Sequence, residues 1–311
     1  CRITYADSGL LLQVPNMLAA KPTGATISAV RKSDNGLQCV PAFASVSRNV
    51  NFTSAYSNPA SGTQPVVVNG SDVRGTAVSL ALNFDATGTA PLLVRYDDAG
   101  QMTLNASYAG STATADPGLT LSGADLFVSK PYGLCLQTDS TCSSADENCT
   151  LFPGVRAGDS FPLRVRAVAW QVDGEALTAA QLCTGNLTTP NFAHSGILLS
   201  SAVQAPAGGA NGQMSPSNYA HALGGQTAAT TSISEVGVFN IIATPPAGAY
   251  LDGETVSGGS SALVGRFIPA YLGAVGSASI TPSCGSAFSY QGQPMDFASG
   301  RQPSLALTGY N

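Results

Sequence analysis

Side chains that could carry out catalysis are scarce in this sequence of 311 residues. It contains two histidines, His194 in NFAHSGI and His221 in NYAHALG, and His194 is followed directly by Ser195. A Ser–His–Asp site is assembled in space, so this pair alone does not decide whether one exists. The sequence has no G-x-S-x-G elbow, no G-x-x-x-x-G-K-[ST] phosphate loop and no H-E-x-x-H metal motif. We therefore predict no catalytic residue and interpret both histidines as loop residues that hydrogen-bond to the backbone.

Neighbouring carboxylates occur at two places and are the other groups that could exchange protons or hold a metal ion. Asp97 and Asp98 lie in YDDAGQ, between two predicted strands, where Asp side chains commonly cap a turn. Asp146 and Glu147 share the segment CLQTDSTCSSADENC with Asp139. Their oxygens could bind Ca²⁺, but the calcium-loop spacing D-x-[DN]-x-[DN]-G is missing. We expect a solvated, disulfide-stapled loop there, with no metal ion and no cofactor in the protein.

Seven cysteines are the candidates for disulfide bonds: Cys1, Cys39, Cys135, Cys142, Cys149, Cys183 and Cys284. Their spacings do not fit a zinc site, which pairs C-x2-4-C with a second pair of ligands downstream. Disulfides formed in an oxidising compartment are the better interpretation, although the spacing does not give their connectivity. Our preferred arrangement joins Cys1 to Cys39 and places further bridges within or out of the segment 135–149. Cys284 or a loop cysteine would then pair elsewhere.

Polar and aromatic side chains are the remaining candidates for ligand binding. Arg164 and Arg166 alternate with apolar residues in FPLRVRAVAW, so we expect them on the solvated face of one strand. Four tyrosines could stack on sugars, but we interpret them as half-buried strand or corner residues: Tyr56, Tyr108, Tyr219 and Tyr250. N-x-[ST] sequons would mark glycans only in a eukaryotic secreted protein, and they occur at Asn51, Asn69, Asn105, Asn148 and Asn186.

The composition favours an extracellular, loop-rich β protein over a cytosolic enzyme. Charged residues make up 10% of the chain, whereas Gly (34 residues) and Pro (19 residues) are abundant. The net charge is −5 and no basic cluster is present, so nucleic acid is not expected as a partner. No apolar run is long enough to cross a bilayer, so we expect no transmembrane segment. Because the chain begins at Cys1 rather than Met, we expect a removed leader or an excerpt of a longer protein.

Alternating apolar residues, with short turns between the runs, predict an all-β fold. VSLALNF, PLLVRY and QMTLNASY follow one another with short Asp/Gly turns, and we predict that they form an antiparallel meander. EVGVFNIIATPP carries apolar residues on both faces, which indicates a central strand between packed sheets. GEALTAAQLC is the one helical candidate, with a length of one or two turns.

These patterns predict tandem immunoglobulin-like β-sandwiches with long loops and disulfides. We expect domain boundaries near residue 128, where PYGLCLQ follows a Pro/Gly-rich stretch, and near residue 265, within LVGRFIPAYL. The predicted domains are a sandwich at residues 1–127, a second at residues 128–265, and a third unit at residues 266–311. The third unit is too short for a sandwich of roughly 100 residues. It is therefore interpreted as the opening strands of a third β domain.

Several stretches, taken together and in order, resemble one bacterial family. They include ISAVRKSDNGLQCVPAF, FDATGTAPLLVRYDDAGQMTLNASY, FVSKPYGLCL, AGDSFPLRVRAVAW, GILLSSAVQAPAGGANGQ, SEVGVFNIIA, VGRFIPAYL and FSYQGQP. Over nearly its whole length the chain is similar to the conserved C-terminal region of the MshQ-like proteins, which are encoded in mannose-sensitive haemagglutinin type IV pilus loci of Gram-negative bacteria. The resemblance implies a secreted or surface-anchored multidomain protein associated with pili, often with a lectin-like domain upstream, and no established catalytic residues. It also favours a disulfide at Cys1 over a lipid anchor, because this cysteine lies inside the chain in that family.

Three functions follow as hypotheses. The first is a non-enzymatic stalk or adhesive module of a pilus-linked surface assembly, extracellular or on the cell surface, with pilus proteins, surface proteins or surface glycans as partners. The second is a structural subunit that self-assembles into an extracellular filament or sheath by strand-edge pairing between copies. CRITYADSGLLLQV and PSLALTGYN are the strands that would complete a neighbour's sheet. The third, a hydrolase of surface polysaccharide, rests only on a catalytic site assembled in space.

Overall fold

In a computed structural model of the 311-residue chain, the described residues are 7–33, 38–139, 142, 156–277, 280–282, 284, 288–293, 296–297 and 303–311. Within these ranges the structure is almost entirely β, with one short α-helix and one 3-10 turn. None of the described helices is long and apolar enough to span a membrane. The all-β fold class predicted from the alternating apolar residues is confirmed.

The first sandwich packs two sheets face to face around an apolar core. Its described strands are β1 (Ser8–Gln13), β2 (Met17–Leu18), β3 (Thr23–Lys32), β4 (Cys39–Pro41), β5 (Val46–Asn58), β6 (Val66–Val68), β7 (Ser71–Val73), β8 (Val78–Phe84), β9 (Thr89–Tyr96), β10 (Gly100–Ala109) and β11 (Thr120–Lys130). One sheet has the order β1-β3-β9-β6-β7, with β4 paired to β3, and the other has the order β2-β11-β10-β5-β8. Large side chains fill the space between them, among them Phe43, Phe52, Tyr96, Leu104 and Phe127.

The second sandwich has the same two-layer design with four described strands in each sheet. Its elements are β12 (Gly133–Thr138), β13 (Phe161–Val168), α1 (Ala179–Leu182), β14 (His194–Ala205), β15 (Met214–Ser215), β16 (Asn218–His221), β17 (Gln226–Ile233), β18 (Gly237–Thr244), the 3-10 turn at Leu251–Gly253, and β19 (Gly259–Phe267). The sheets have the orders β12-β13-β17-β15 and β16-β14-β18-β19. Four phenylalanines lie at the centre of this core: Phe161, Phe192, Phe239 and Phe267.

Beyond the second sandwich the described chain forms two small antiparallel pairs. The strands are β20 (Tyr271–Ser277), β21 (Ile280–Thr281), β22 (Asp296–Phe297) and β23 (Ser304–Tyr310), paired as β20 with β23 and β21 with β22. All seven residues of β23 are exposed. This region therefore adds strands without a core of its own among the described residues.

The predicted meander of VSLALNF, PLLVRY and QMTLNASY is wrong. These segments are β8, β9 and β10, and no two of them pair with each other: β8 and β10 flank β5 in one sheet, whereas β9 lies between β3 and β6 in the other. Each strand has one apolar face, and crossing between the sheets at each turn lets all three faces meet in the same core. The alternation predicts the three strands, but it does not reveal which sheet each strand joins.

Three other predictions about elements are confirmed. The strand in EVGVFNIIATPP is β18, which lies between β14 and β19. The helical candidate is α1, and FPLRVRAVAW forms β13 with its apolar residues buried in alternation. The domain boundaries at 127/128 and 265/266 stay a prediction, and β19, which contains residues 265 and 266, pairs with β18 of the second sandwich.

Candidate functional site

The contact between the two sandwiches is the candidate site with the most complete geometry. We call it the joint, and it consists of Asn16, Ala19, Lys21, Tyr96, Asp98, Ala99, Val128, Lys130, Trp170, Asp173, Asn191 and Glu254. The chain passes between the sandwiches through Pro131 and Tyr132 alone, because β11 ends at Lys130 and β12 begins at Gly133. Two residues leave very little slack for movement of one sandwich against the other.

Tyr132 is held at both its backbone and its side chain. Its backbone N–H donates to the carbonyl oxygen of Val168 at 2.8 Å, and its hydroxyl donates to the carbonyl oxygen of Glu175 at 2.6 Å. Pro131 has a fixed φ by its chemistry. The link is therefore attached to the second sandwich as soon as the first sandwich ends.

Asp98 lies at the centre of the joint and is 1% exposed. Its Oδ1 accepts hydrogen bonds from the backbone N–H of Ala99 at 2.7 Å and from the backbone N–H of Asn191, in the second sandwich, at 3.0 Å. Its Oδ2 is buried and has no hydrogen-bond partner among the described residues. The Asn191 side chain also donates to the Tyr96 hydroxyl at 3.3 Å. One carboxylate of the first sandwich therefore accepts a hydrogen bond from a partly buried backbone donor of the second.

Burial dominates the electrostatics of this carboxyl group. Removal from water raises the pKa of Asp98, and the hydrogen bonds from Asn191 and Ala99 oppose this increase. Burial, together with the nearby Asp98 charge, also raises the pKa of the Tyr96 hydroxyl. An ionised Asp98 is thus costly in this position, and its two backbone donors are what make it tolerable.

One side of the joint is held by Trp170, which is the single tryptophan of the sequence. Its backbone N–H donates to the Ala19 carbonyl oxygen at 2.9 Å, and its indole N–H donates to Asp173 Oδ1 at 3.1 Å. Lys21 forms an ion pair with the same Asp173 oxygen at 2.5 Å, and its Nζ lies 5.4 Å from the centroid of the Trp170 ring. The hydrogen bond of Lys21 is the main reason why the pKa of Asp173 lies below its usual value.

A second ion pair holds the opposite side. Lys130 Nζ lies 2.7 Å from Glu254 Oε2, and both side chains are about three-quarters buried. Asn16 donates to the other Glu254 oxygen at 2.8 Å and accepts a hydrogen bond from the Val128 backbone N–H at 2.8 Å. The Lys130 hydrogen bond lowers the pKa of Glu254.

Apolar contact completes the joint. Ala99 and Val128 belong to the first sandwich by chain position, yet their side chains pack in the core of the second. The joint therefore combines apolar burial, a buried carboxylate and two flanking ion pairs. What this arrangement can do is mechanical, since it fixes the relative orientation of two β-sandwiches.

The two histidines are core residues and not loop residues, which corrects the sequence interpretation. His194 and His221 face each other across the β14–β16 pair, with exposures of 9% and 2%. His194 Nδ1 donates to the carbonyl oxygen of Ser195 at 2.7 Å, as expected for a backbone partner. Both ring nitrogens of His221 lack a hydrogen-bond partner in the described structure. Burial lowers the pKa of His221 to about 4.

Neither histidine is arranged for nucleophilic catalysis in the part of the chain described. The Phe192 ring packs against both, with its centroid 5.3 Å from that of His221 and 6.0 Å from that of His194. The described hydrogen bonds join no histidine nitrogen to a serine or threonine hydroxyl. Among the described residues, no group of three or more His, Cys, Asp or Glu side chains could hold a metal ion.

The two arginines of β13 differ in what they contact. Arg164 forms an exposed ion pair with Asp139. Arg166 donates to the Cys183 carbonyl oxygen at 3.2 Å and approaches Cys135 Sγ at 3.4 Å. They lie on the non-core face of the strand as predicted, but Arg166 packs over a disulfide and is only half-exposed.

The described cysteines only partly follow the preferred pairing. Cys135 and Cys183 form a disulfide that joins β12 to the end of α1, and Cys142 is also disulfide-bonded. Cys39 has a free, exposed thiol, so the preferred Cys1–Cys39 bridge is not found. Cys284 is also free. Cys1 and Cys149 lie outside the described residues.

The remaining candidates are distributed over the molecule. Asp97 pairs with Arg95 at 2.8 Å, while Asp146, Glu147 and the Asn148 sequon lie outside the described residues. The Asn186 side chain is buried and hydrogen-bonded to Glu175 and to the Ala169 carbonyl oxygen.

The four tyrosines that could stack on sugars are spread over both sandwiches. None of them is fully exposed, which is consistent with a structural role: Tyr56, Tyr108, Tyr219 and Tyr250. They form no common sugar-binding platform.

A cavity of about 550 Å³ lies beside the disulfide, between β12, α1 and β19. Its described lining carries hydroxyl, amide and apolar groups and no charged side chain, and it includes Gln137, Thr138, Thr184, Asn240, Ser261 and Leu263. An uncharged polar molecule is the chemistry that such a lining accommodates.

No motif in the sequence marks the joint as a site. Asp98 was interpreted as a turn residue, and it does accept a hydrogen bond from its neighbour Ala99. Its partner Asn191 is 93 positions away. The one available signal was the short PY link between two predicted strand runs, which indicates closely apposed domains.

Three family models match the chain in order. The model described as Domain of unknown function (DUF6701), first Ig-like domain, matches residues 1–124, the DUF6701 second domain matches residues 130–233, and the DUF6701 third domain matches residues 235–311. The chain is built of three tandem DUF6701 domains. In this DUF6701 protein, β18 and β19 lie within the segment matched by the third model, yet β18 pairs with β14 of the second sandwich and β19 pairs with β18 in the same sheet.

Solved structures similar to this DUF6701 chain include two of intimin and one of an adhesin. The D0-D1 domain of Intimin has 17% identity and a TM-score of 0.24, covering 83% of this chain and 97% of that chain. The Yersinia pseudotuberculosis adhesin InvE has 13% identity and a TM-score of 0.33, covering 80% and 56%. A C-terminal 282-residue fragment of intimin, solved with the intimin-binding domain of the translocated intimin receptor, has 12% identity and a TM-score of 0.33, covering 89% and 69%. A search of curated proteins found no match.

Proposed function

We propose that this DUF6701 chain is a non-enzymatic stalk or adhesive module of a surface assembly on a Gram-negative bacterium, associated with pili as its resemblance to the MshQ-like proteins implies. The observation that carries the proposal is the joint. Domains of one chain move relative to each other by default, unless their interface is large and apolar. Here a two-residue link, a buried carboxylate and two ion pairs oppose that movement.

Stiffness is the property that a stalk needs. A flexible linker lets a binding head fold back onto the cell surface, whereas stacked sandwiches keep it at a fixed distance. Each charged group of the joint has an ion-pair partner or a backbone donor in the other sandwich. These polar contacts therefore oppose a change in the relative orientation of the two sandwiches. This chemistry suits a spacer better than a hinge.

The cysteine and charge content supports an extracellular location. The Cys135–Cys183 disulfide closes a loop of 48 residues, and such bonds persist in oxidising compartments. The expected partners are other pilus or surface proteins. Surface glycans are a further proposed partner class, since the cavity beside this disulfide is lined by uncharged hydroxyl and amide groups, which suit hydroxyl-rich ligands.

Electron microscopy of single particles tests the stalk proposal. Oxidised protein purified from cells without refolding would be imaged beside a variant with Gly-Ser-Gly-Ser inserted between Pro131 and Tyr132. The stalk proposal expects one angle between the sandwiches in the natural chain and a broad range of angles in the insertion variant. Equally broad distributions in both would refute the idea of a stiff spacer.

A second candidate function, a self-assembling filament subunit, is favoured by the β20–β23 pair. Its exposed apolar side chains include Tyr271, Leu272, Leu305 and Leu307, each more than 60% exposed. Such a surface can be covered by another copy. The same electron micrographs, recorded over a concentration series, distinguish this function, because fibres with a regular repeat would support the filament and displace the stalk.

A further inference from the structure

One terminal strand of the first sandwich has a free hydrogen-bonding edge. The strand is β8, which pairs with β5 along Val78–Phe84 and ends the five-stranded sheet. In an antiparallel strand every second residue points its N–H and C=O away from the neighbour. Outside the β5–β8 ladder, none of the described hydrogen bonds uses a backbone group of this strand. A seven-residue edge of this kind is a template for another strand.

Other terminal strands of the two sandwiches are short or bonded along their free side. β7, β15 and β16 contain three, two and four residues. β1 lies against β11, with Ser8 Oγ donating to the Thr120 carbonyl oxygen at 3.0 Å and the Val14 N–H donating to Asp125 at 2.7 Å.

The edges of the second sandwich are bonded in the same way. The Leu134 N–H of β12 donates to the Gly258 carbonyl oxygen at 3.1 Å, and the Ser260 N–H of β19 donates to the Leu177 carbonyl oxygen at 3.0 Å. Among the described terminal strands of the two sandwiches, β8 therefore combines a length of seven residues with a free side that carries no hydrogen bond, whereas the longer β19 is bonded along its free side.

The sequence of β8 carries none of the features that usually block edge pairing. VSLALNF contains no charged residue and no proline, and its pairing with β5 has no bulge. Natural edge strands are commonly protected by lysine, proline, a bulge or a covering loop. On the inner side, Val78 and Leu80 are only partly buried, so the edge also leaves apolar surface incompletely covered.

We propose that β8 is a docking edge for the β8 strand of a second copy of this chain, in a two-fold antiparallel pair centred on Ala81. The occupant is a second copy because the edge is complementary to itself. In this register Leu80 lies opposite Leu82 of the other copy, and Val78 lies opposite Phe84. Two five-stranded sheets become one sheet of ten, and the two-fold symmetry closes the assembly at a dimer.

Charge permits this pairing along the whole strand. The outward residues of β8 are Ser79, Ala81 and Asn83, and the outward residues Asn49 and Asn51 of the neighbouring β5 are also uncharged. Ser79 of one copy meets Asn83 of the other, a pair that can form a cross-strand hydrogen bond. No like charges face each other within the paired strands.

The lateral dimer goes beyond the stalk function and is independent of it. The joint fixes one sandwich on the next along a single chain, whereas β8 joins two chains side by side. It also differs from a filament, because a two-fold contact does not propagate. The angle distribution in electron micrographs tests the joint, and the association constant of β8 variants tests the docking edge, so each can fail alone.

Sedimentation velocity over a concentration series is the test, with the 311-residue oxidised protein and the exposed Cys39 thiol alkylated. Ala81→Lys and Ala81→Glu each place two like charges at the two-fold axis, which we expect to weaken dimerisation by about fivefold. Ala124→Lys is the matched control, because Ala124 is exposed on the same sheet face but lies on β11, three strands from β8. An equimolar mixture of Ala81→Lys and Ala81→Glu should restore the dimer, since opposite charges then meet at the axis.

Hydrogen exchange on the natural protein supplies a measurement that needs no variant. Amides of residues 78–84 should gain protection as the concentration rises through the dimer transition. A natural chain that stays monomeric overturns the proposal, as does association that is equal in Ala81→Lys and Ala124→Lys. A mixture that associates no better than either charged variant alone also overturns it, because the contact then lies elsewhere, for example at β20–β23.

Discussion

Replacing Asp98 tests how much the buried carboxylate of the joint contributes. Asp98→Ala removes the acceptor of two backbone N–H groups, those of Ala99 and Asn191, at a position that is 1% exposed. A buried donor without a partner costs about 1–3 kcal/mol, so we expect a loss of about 3 kcal/mol in the free energy of unfolding. Asp98→Asn keeps an oxygen acceptor and should lose less than about 1 kcal/mol.

The pH dependence of stability is a second, independent test of the role of Asp98, because the raised pKa predicts the direction in which stability changes with pH. The pKa of Asp98 is raised in the folded protein above its ordinary value of 3.8, so the folded state retains the proton longer than the unfolded state does. The natural chain should therefore lose stability relative to Asp98→Asn as the pH rises from 3.8 to the folded-state pKa. Below 3.8 and above the folded-state pKa, the difference between the two proteins should be constant.

The fluorescence of Trp170 makes this experiment specific for the joint. This residue is the single tryptophan of the chain and bonds to Ala19 across the contact. Denaturant unfolding would be followed by its emission for the natural chain, Asp98→Asn and Asp98→Ala at several pH values. If Asp98→Ala were as stable as Asp98→Asn, the two backbone hydrogen bonds would contribute nothing and the reasoning would be refuted.

Three further predictions concern other parts of the molecule. The pKa of His221 is lowered to about 4, so the protein should lose about 2 kcal/mol of stability between pH 8 and pH 5, and the unfolding of His221→Phe should lack this slope. Replacing Cys135 and Cys183 together by alanine should cost about 4 kcal/mol, measured by denaturant unfolding, because a 48-residue loop is no longer closed. Glu254→Gln should cost about 1 kcal/mol at neutral pH through the loss of the Lys130 ion pair, and the cost should vanish as the pH falls below the lowered pKa of Glu254. A pH-independent cost for Glu254→Gln would contradict the ion-pair explanation.

Strand positions were predictable from the sequence because burial of one strand face leaves a period of two. FPLRVRAVAW forms β13 for this reason, whereas EVGVFNIIATPP, which is apolar on both faces, forms the central strand β18. Sheet membership was not predictable, as β8, β9 and β10 show, because a strand with one apolar face satisfies the pattern equally well in either layer.

The joint could not be predicted from the sequence for a related reason. Asp98 and Asn191 come together only when both sandwiches have formed, and nothing in YDDAGQ distinguishes a turn cap from a contact with another domain. The histidines were misread because their segments are rich in small polar residues, whereas Phe192 and Tyr250 of the core enclose them.

Backbone ¹⁵N relaxation measured by NMR tests the central claim most directly, namely that the joint makes one stiff body of two sandwiches. The amides of Ser8–Lys130 and those of Gly133–Phe267 would be fitted separately and then together to a rotational diffusion tensor, at a concentration at which the protein is monomeric. A stiff stalk predicts that one anisotropic tensor fits both sets, and that insertion of Gly-Ser-Gly-Ser between Pro131 and Tyr132 separates them. Two distinct tensors in the natural chain would contradict the claim.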